Sequence, residues 1–294
     1  MAPQKDSQSY LAFARLGKGE GWRYILGVLA IAWTWWNVCG YVGWIGQTLF
    51  FRIFESTLLS TIVGALVTFV PLLLLLCFIV YEIHQRPLQT LVNAELSIHY
   101  RRIWLGFGVW WALLTLFFIP NLWISPQDYT LSFQPGVWFA MLPIVLILTP
   151  IQTSVEELFY RGYLMQGLSL LTRNPVVLTI ATSLAFAIPH FNNPEMQRGF
   201  LLGALNYFLW GVFAAVITLK DNGLELALGV HAANNLFIVL ILNLPDSVLP
   251  TPSIWTYVGP IHAGEDLMGT LLYASLFYLI FFGGVFRRHP PATD

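Results

Sequence analysis

The chain has 294 residues, of which 57% are hydrophobic, 16% aromatic and only 10% charged, against about 25% charged in an ordinary soluble domain. Fourteen basic against fifteen acidic side chains leave a net charge near −1, which excludes a disordered chain and a polybasic nucleic-acid binder, and two cysteines exclude a disulfide framework or a cysteine-rich zinc fold. A mean hydropathy of +0.68 over this length points to a protein whose solvent is mostly lipid.

Residues 1–23 are polar and hold four basic groups, Lys5, Arg15, Lys18 and Arg23. A spanning helix needs about 20 mostly apolar residues to cross about 30 Å of hydrocarbon. Cutting the sequence at its charges leaves eight such windows: Tyr24–Gly46, Ser56–Tyr81, Ile103–Gln127, Tyr129–Val155, Asn174–Pro189, Gly199–Leu219, Leu226–Pro245 and Leu267–Phe286. The first is too long for the apolar core of a signal peptide and no small-x-small cleavage site follows it, so it reads as a retained span. The fourth is predicted to run on, because Gly162–Thr172 is again uncharged, with a kink or division at Pro143 and Pro150. The expected fold is all-α and polytopic, one integral membrane domain over residues 1–294.

Basic residues orient such a chain. With the N-terminus in the cytoplasm, Lys5, Arg15, Lys18, Arg23, Arg86, Arg101, Arg102, Arg161, Arg173, Lys220, Arg287 and Arg288 fall inside, and only Arg52 and Arg198 fall outside. Both termini are therefore expected in the cytoplasm; in a prokaryote the membrane would be the plasma membrane. Trp22, Trp44, Trp104, Trp123 and Trp138 lie near predicted span ends and read as interfacial anchors.

A charged residue at mid-bilayer costs roughly 2.5–3.5 kcal/mol even on the lenient insertion scale, so each ionisable group inside a window needs a reason. The informative set is Glu156, Glu157 and Arg161 late in the fourth window, His190 at the end of the fifth, and His231 with Asn234 and Asn235 in the seventh. The remaining histidines, His84, His99, His262 and His289, fall in loops or the tail and read as solvated. Helical spacing puts Glu157 and Arg161 on one face as a structural ion pair and leaves Glu156 free, with Tyr160 on its face. Phe186 and His190 are four apart, as are His231 and Asn235; Asn234 is a weaker candidate for that face. Counted at about 1.5 Å per residue, the three groups reach similar depths, near mid-bilayer or beyond it from the cytoplasm.

A carboxylate, two imidazoles and a carboxamide in a dry cavity suit water activation and acyl transfer. A desolvated Glu serves as general base, a His holds water or shuttles a proton, and a second His with an Asn donates to an oxyanion. Cys39 and Cys77 have no base near them in sequence and read as packing residues. The stretches Glu156-Glu157-Leu-Phe-Tyr-Arg161, Phe186-Ala-Ile-Pro-His190 and His231-Ala-Ala-Asn-Asn235 read as EExxxR, FxxxH and HxxxN. In that order on eight hydrophobic spans, they resemble the CPBP family of intramembrane glutamic endopeptidases, which includes the CAAX prenyl endopeptidases of the Rce1 type and the bacterial Abi, or bacteriocin-immunity, group. The resemblance covers roughly Pro150–Leu240.

The resemblance implies a CAAX-protease-like endopeptidase without a metal cofactor. Glu156 would be the base that activates water, His190 the residue that holds or polarises it, and His231 and Asn235 the oxyanion donors. Glu157 and Arg161 would support the site, while Phe186 packs beside His190. Partners would be a peptide or protein substrate, lipidated or membrane-associated, and the bilayer itself, with no nucleic acid. Three other readings stand beside this one. Glu156, His190 and His231 could ligate zinc with an open position, although no HExxH is present. An ion- or proton-coupled transporter would also place Glu and His in the membrane, although no inverted repeat is visible. A catalytically silent scaffold would keep the same motifs.

Overall fold

The computed structural model describes residues 9–283. Seven of its helices are long and apolar enough to span a membrane: α1 (Gly21–Phe54), α2 (Thr57–Ile83), α3 (Tyr100–Ile124), α4 (Pro135–Leu168), α5 (Pro175–Asn192), α6 (Phe200–Asp221) and, last in the chain, α8 (Ala263–Phe282). Between α6 and α8 lies α7 (Glu225–Leu240), a shorter apolar helix. The protein is an all-α polytopic membrane protein, and each of the eight predicted windows holds one of these helices. The window edges moved, however: Tyr129 lies in a strand, Phe286 lies outside the described residues, and the seventh window gives a helix below spanning length.

The reason for that shortness is its surroundings. At 1.5 Å per residue α7 is about 24 Å long, less than the hydrocarbon thickness. Eleven of its sixteen residues are buried, and it packs against α3, α4 and α6. A helix enclosed by protein does not have to match the bilayer. The crossing with α3 is close because glycines sit on both sides. A Cβ on Gly229 would lie 2.0 Å from the Ile103 carbonyl oxygen, and one on Gly106 would lie 2.6 Å from that of Leu226. Small residues at such crossings let backbones approach where the hydrophobic effect drives no association.

Local signals set the helix ends. Ser56 caps α2 by accepting from the Leu59 N–H at 3.3 Å. Asn174 caps α5 by accepting from Val176 at 2.9 Å and Val177 at 3.4 Å, with Pro175 in the first turn. α1 stops at Glu55 and α6 at Asn222, both in the left-handed conformation. Neither Pro143 nor Pro150 divides α4, whose α-helical part runs unbroken over Pro135–Glu157. The interruption comes after them, as a wide π-helical turn at Leu158–Leu164.

Three short strands, β1 (Tyr129–Leu131), β2 (Leu242–Asn243) and β3 (Trp255–Tyr257), form a sheet in the order β1–β3–β2, antiparallel between β1 and β3 and parallel between β2 and β3. It ties together the loops at the end of the bundle where α3 and α7 finish. Sequence patterning gave no sign of it.

Several polar residues are placed differently from expectation. The N-terminal segment is not wholly solvent-facing. A 3₁₀ turn at Tyr10–Arg15 docks on the bundle, and the buried Tyr10 hydroxyl lies 2.6 Å from the Leu91 carbonyl and 3.1 Å from that of Arg161. His84 is not solvated but fully buried, 2.9 Å from both the Lys18 carbonyl and the Tyr163 hydroxyl. Arg161 is also fully buried, so it belongs to the bundle interior and does not count toward the charge bias of the loops. Trp22, Trp44, Trp104 and Trp123 are exposed as interfacial anchors would be. Trp138 instead donates its indole N–H to the Leu240 carbonyl at 3.0 Å, joining α4 to α7. Lys5, Arg287, Arg288 and His289 lie outside the described residues.

Candidate active site

Glu156 and Glu157 are the last two residues of the α-helical part of α4, and the π turn begins immediately after them. Such turns insert an extra residue into the helix and re-aim the side chains around it. Here the result is a division of labour between neighbours. Glu157 points into the bundle, fully buried, and its Oε1 accepts from Arg161 Nη1 at 2.9 Å and from His231 Nδ1 at 2.7 Å. The Arg161 guanidinium also lies over the Phe186 ring at 4.5 Å and donates to the Gly211 carbonyl at 3.3 Å. The expected Glu157–Arg161 pair is present, and Glu157 does more than pair: it fixes the orientation of the His231 ring. With Nδ1–H spent on a carboxylate, Nε2 is the nitrogen left for chemistry. It lies 3.8 Å from Glu156 Oε2, longer than a hydrogen bond.

His190 stands on a 3₁₀ turn, Ile188–Asn192, at the end of α5. Its Nδ1 lies 2.8 Å from the Phe186 carbonyl oxygen, an acceptor only, so Nδ1 carries the proton and Nε2 is again free. The ring is held between Phe186, with centroids 4.7 Å apart, and Tyr207 of α6, stacked at 4.2 Å. Phe186 is buried and also packs edge-on against Tyr160 at 5.4 Å and His231 at 6.2 Å, which makes it the common neighbour of all three motifs.

The carboxamides form a chain with a single direction. The Trp110 indole N–H, which can only donate, reaches Asn234 Oδ1 at 3.3 Å. Asn234 Nδ2 donates to Asn235 Oδ1 at 3.2 Å, and Asn235 Nδ2 donates to Gln152 Oε1 at 3.1 Å. Gln152 Nε2 then donates to Glu156 Oε1 at 2.5 Å. The chain runs from an obligate donor to a carboxylate, so every amide orientation along it is determined. Gln152 was not singled out in the sequence, although it lies four residues before Glu156, the same spacing that linked the other pairs. Glu156 Oε2 has no hydrogen-bond partner among the described residues.

Glu156, His190, His231, Asn235, Tyr160 and Phe186 line one cavity of about 1040 Å³. Glu157 and Arg161 lie behind its wall. The cavity extends between α1 and α2 along Ile31, Trp35, Phe69, Leu72 and Leu76, an apolar arm at mid-span. At the other side it reaches the end of the bundle where α5 and α7 finish, along Arg198, Leu249, Glu265 and Asp266. Among the described residues no three His, Cys, Asp or Glu side chains gather as a metal-ligand set. Cys39 and Cys77 are free thiols outside the cavity lining.

These motifs occupy the segment that matches a known family, described as type II CAAX prenyl endopeptidase Rce1-like, over residues 135–237. The chain carries an Rce1-like segment. That segment contains all three motifs, from the carboxylate pair of α4 to Asn235 of α7. The chain is also 36% identical over 174 residues to the uncharacterized protein YyaK of Bacillus subtilis (strain 168), a match covering 58% of each chain. No solved structure matches. The Rce1-like segment leaves α1, α2, α3 and α8 outside it, and α1 and α2 supply the apolar arm of the cavity.

Proposed function

We propose that the protein is an intramembrane endopeptidase that hydrolyses a peptide bond with water activated by Glu156, CAAX-protease-like in mechanism and independent of metal. The observation that carries this reading is the convergence of Glu156, His190, His231 and Asn235 on one cavity, with the catalytic atoms unspent: Glu156 Oε2 and the Nε2 atoms of both histidines have no hydrogen-bond partner, while their other polar atoms are anchored.

In this mechanism His190 Nε2 accepts a hydrogen bond from the water and Glu156 takes its proton as hydroxide adds to the carbonyl carbon. The oxyanion forms opposite the Asn235 amide, whose nitrogen has a second N–H beyond the one given to Gln152. His231 donates there only when Nε2 is protonated, and the ring is then an imidazolium between two carboxylates, Glu156 and Glu157. Glu156 finally returns its proton to the departing amine. The substrate is a membrane-associated peptide or protein, entering along the apolar arm between α1 and α2; a lipidated chain suits the same arm.

The test uses purified full-length protein in detergent with a fluorogenic peptide library. Wild type is expected to cleave, and Glu156→Gln to lose about 10²–10⁴-fold, the usual size of a general-base contribution. Equal cleavage by both would remove Glu156 as the base, and cleavage by neither would favour a scaffold. Chelator treatment is expected to leave activity intact; loss that is restored on adding zinc would overturn the metal-free reading.

A further inference from the structure

The cavity is lined by a second half-buried carboxylate that the three motifs do not include. Glu195 sits in a short 3₁₀ turn, Pro194–Arg198, just beyond His190. Its Oε1 accepts from the Tyr207 hydroxyl and from Asn193 Nδ2 at 3.2 Å. Its Oε2 is buried and has no partner among the described residues. Tyr207 is the ring stacked on His190, so one aromatic side chain joins Glu195 to the candidate site.

No cation of the cavity wall answers this carboxylate. Among the described residues lining the cavity, Arg198 is the one Lys or Arg. Its Nε and Nη2 are given to Asp246 and its Nη1 to Asp266 at 2.9 Å. A buried carboxylate oxygen without a donor is unfavourable, and more so at low dielectric. Two donors converge on Oε1 and hold the group in place, which leaves Oε2 as a fixed, undonated acceptor of a residue that lines the cavity.

We propose that Glu195 is a specificity-determining residue that receives the ammonium or guanidinium group of a Lys or Arg side chain, close to the bond presented to Glu156. The proposal deepens the peptidase reading and rests on it for the role of that bond. A substrate of this kind places an apolar stretch in the arm between α1 and α2 and a cationic residue against Glu195.

Binding separates the two claims, because it needs no cleavage. Labelled decapeptides, N-acetylated and C-amidated, differ at one position only: Lys, the neutral isostere norleucine, or Glu. A fourth peptide carries norleucine and a free N-terminus. Wild type in detergent is expected to bind the Lys peptide about 10- to 150-fold more tightly than the norleucine peptide, the range of a hydrogen bond to a charged group. Glu195→Gln is expected to erase that preference and Glu156→Gln to retain it. In wild type, butylguanidinium is expected to displace the Lys peptide where butanol does not, a measurement that holds even if Glu195→Gln fails to fold. Equal binding of Lys and norleucine peptides to wild type, or a preference that survives Glu195→Gln, overturns the proposal. Tighter binding of the free-N-terminus peptide than of the Lys peptide overturns the assignment to a side chain. A Lys preference in a protein that cleaves nothing would refute the peptidase reading and leave Glu195 as a cation subsite.

Discussion

Glu157 is the residue on which the bundle and the candidate site both depend, and the two dependences can be separated. Replacing it by Gln removes the charge facing Arg161, and both side chains are fully buried. Breaking one side of a buried pair costs about 3–5 kcal/mol, because the partner is left as an uncompensated charge. Arg161 Nε already lacks a hydrogen-bond partner, and the Gly211 carbonyl and Phe186 ring that remain carry no full negative charge. Replacing both members by apolar residues, Glu157→Leu with Arg161→Met, removes the stranded charge and is close to neutral for the pair itself. It still strands the His231 Nδ1–H, which costs about 1–3 kcal/mol. The single variant is therefore expected to lose about 3–5 kcal/mol and the double variant only about 1–3 kcal/mol. Reversible unfolding in mixed micelles, followed by tryptophan fluorescence and circular dichroism, gives both numbers. Peptidase activity should stay lost in the double variant, since the acceptor that orients His231 is gone. A double variant as unstable as the single one, or a single variant with wild-type stability, would refute the reasoning.

Two further expectations follow from other contacts. Gln152→Leu removes the hydrogen bond to Glu156 Oε1 and is expected to lower kcat by roughly 10- to 150-fold, the range for a hydrogen bond to a charged group, without moving the thermal midpoint by more than a few degrees; an unchanged kcat would mean that the amide chain does not position the base. At the end of α2, burial and the neighbouring Arg86 hold the His84 imidazole neutral, with its pKa lowered to about 4. An unfolded chain takes up that proton near pH 6.5, so the stability contributed by neutral His84 is fully present above about pH 6.5 and is lost as pH falls toward 4. Thermal midpoints of wild type should fall across that window, and His84→Gln should flatten the slope; identical slopes would assign the acid sensitivity to other groups.

Much of this was legible in the sequence, for identifiable reasons. Apolar runs reveal helices in lipid because partitioning depends on composition, and α1 to α6 and α8 follow that rule. Intramembrane ionisable residues are costly enough to mark a site, and Glu156, His190, His231 and Asn235 do line one cavity. Helical spacing identified Glu157–Arg161, but it could not show that Glu157 also holds His231 across 74 positions of sequence. Gln152 carries no charge, so a search for charges passed over it. Glu195 falls between two windows and so escapes a search confined to them, whereas the 3₁₀ turn folds it back toward Tyr207. His84 looked solvated because it follows a span end, whereas the docked N-terminal residues together with Tyr24 and Tyr163 enclose it.

The short central helix also bears on how the protein is made. α7 carries His231, Asn234 and Asn235 within about 24 Å of helix, a weak signal for machinery that sorts emerging segments by hydropathy. Its packing partners α3, α4 and α6 all precede it in the chain, so synthesis delivers the protein groove before the helix that fills it. The polar face of α7 then meets Gln152, Glu157 and Trp110 instead of acyl chains. Gene order along the polypeptide thus acts as an assembly order, in which the helix least suited to lipid is inserted after the helices that shield it.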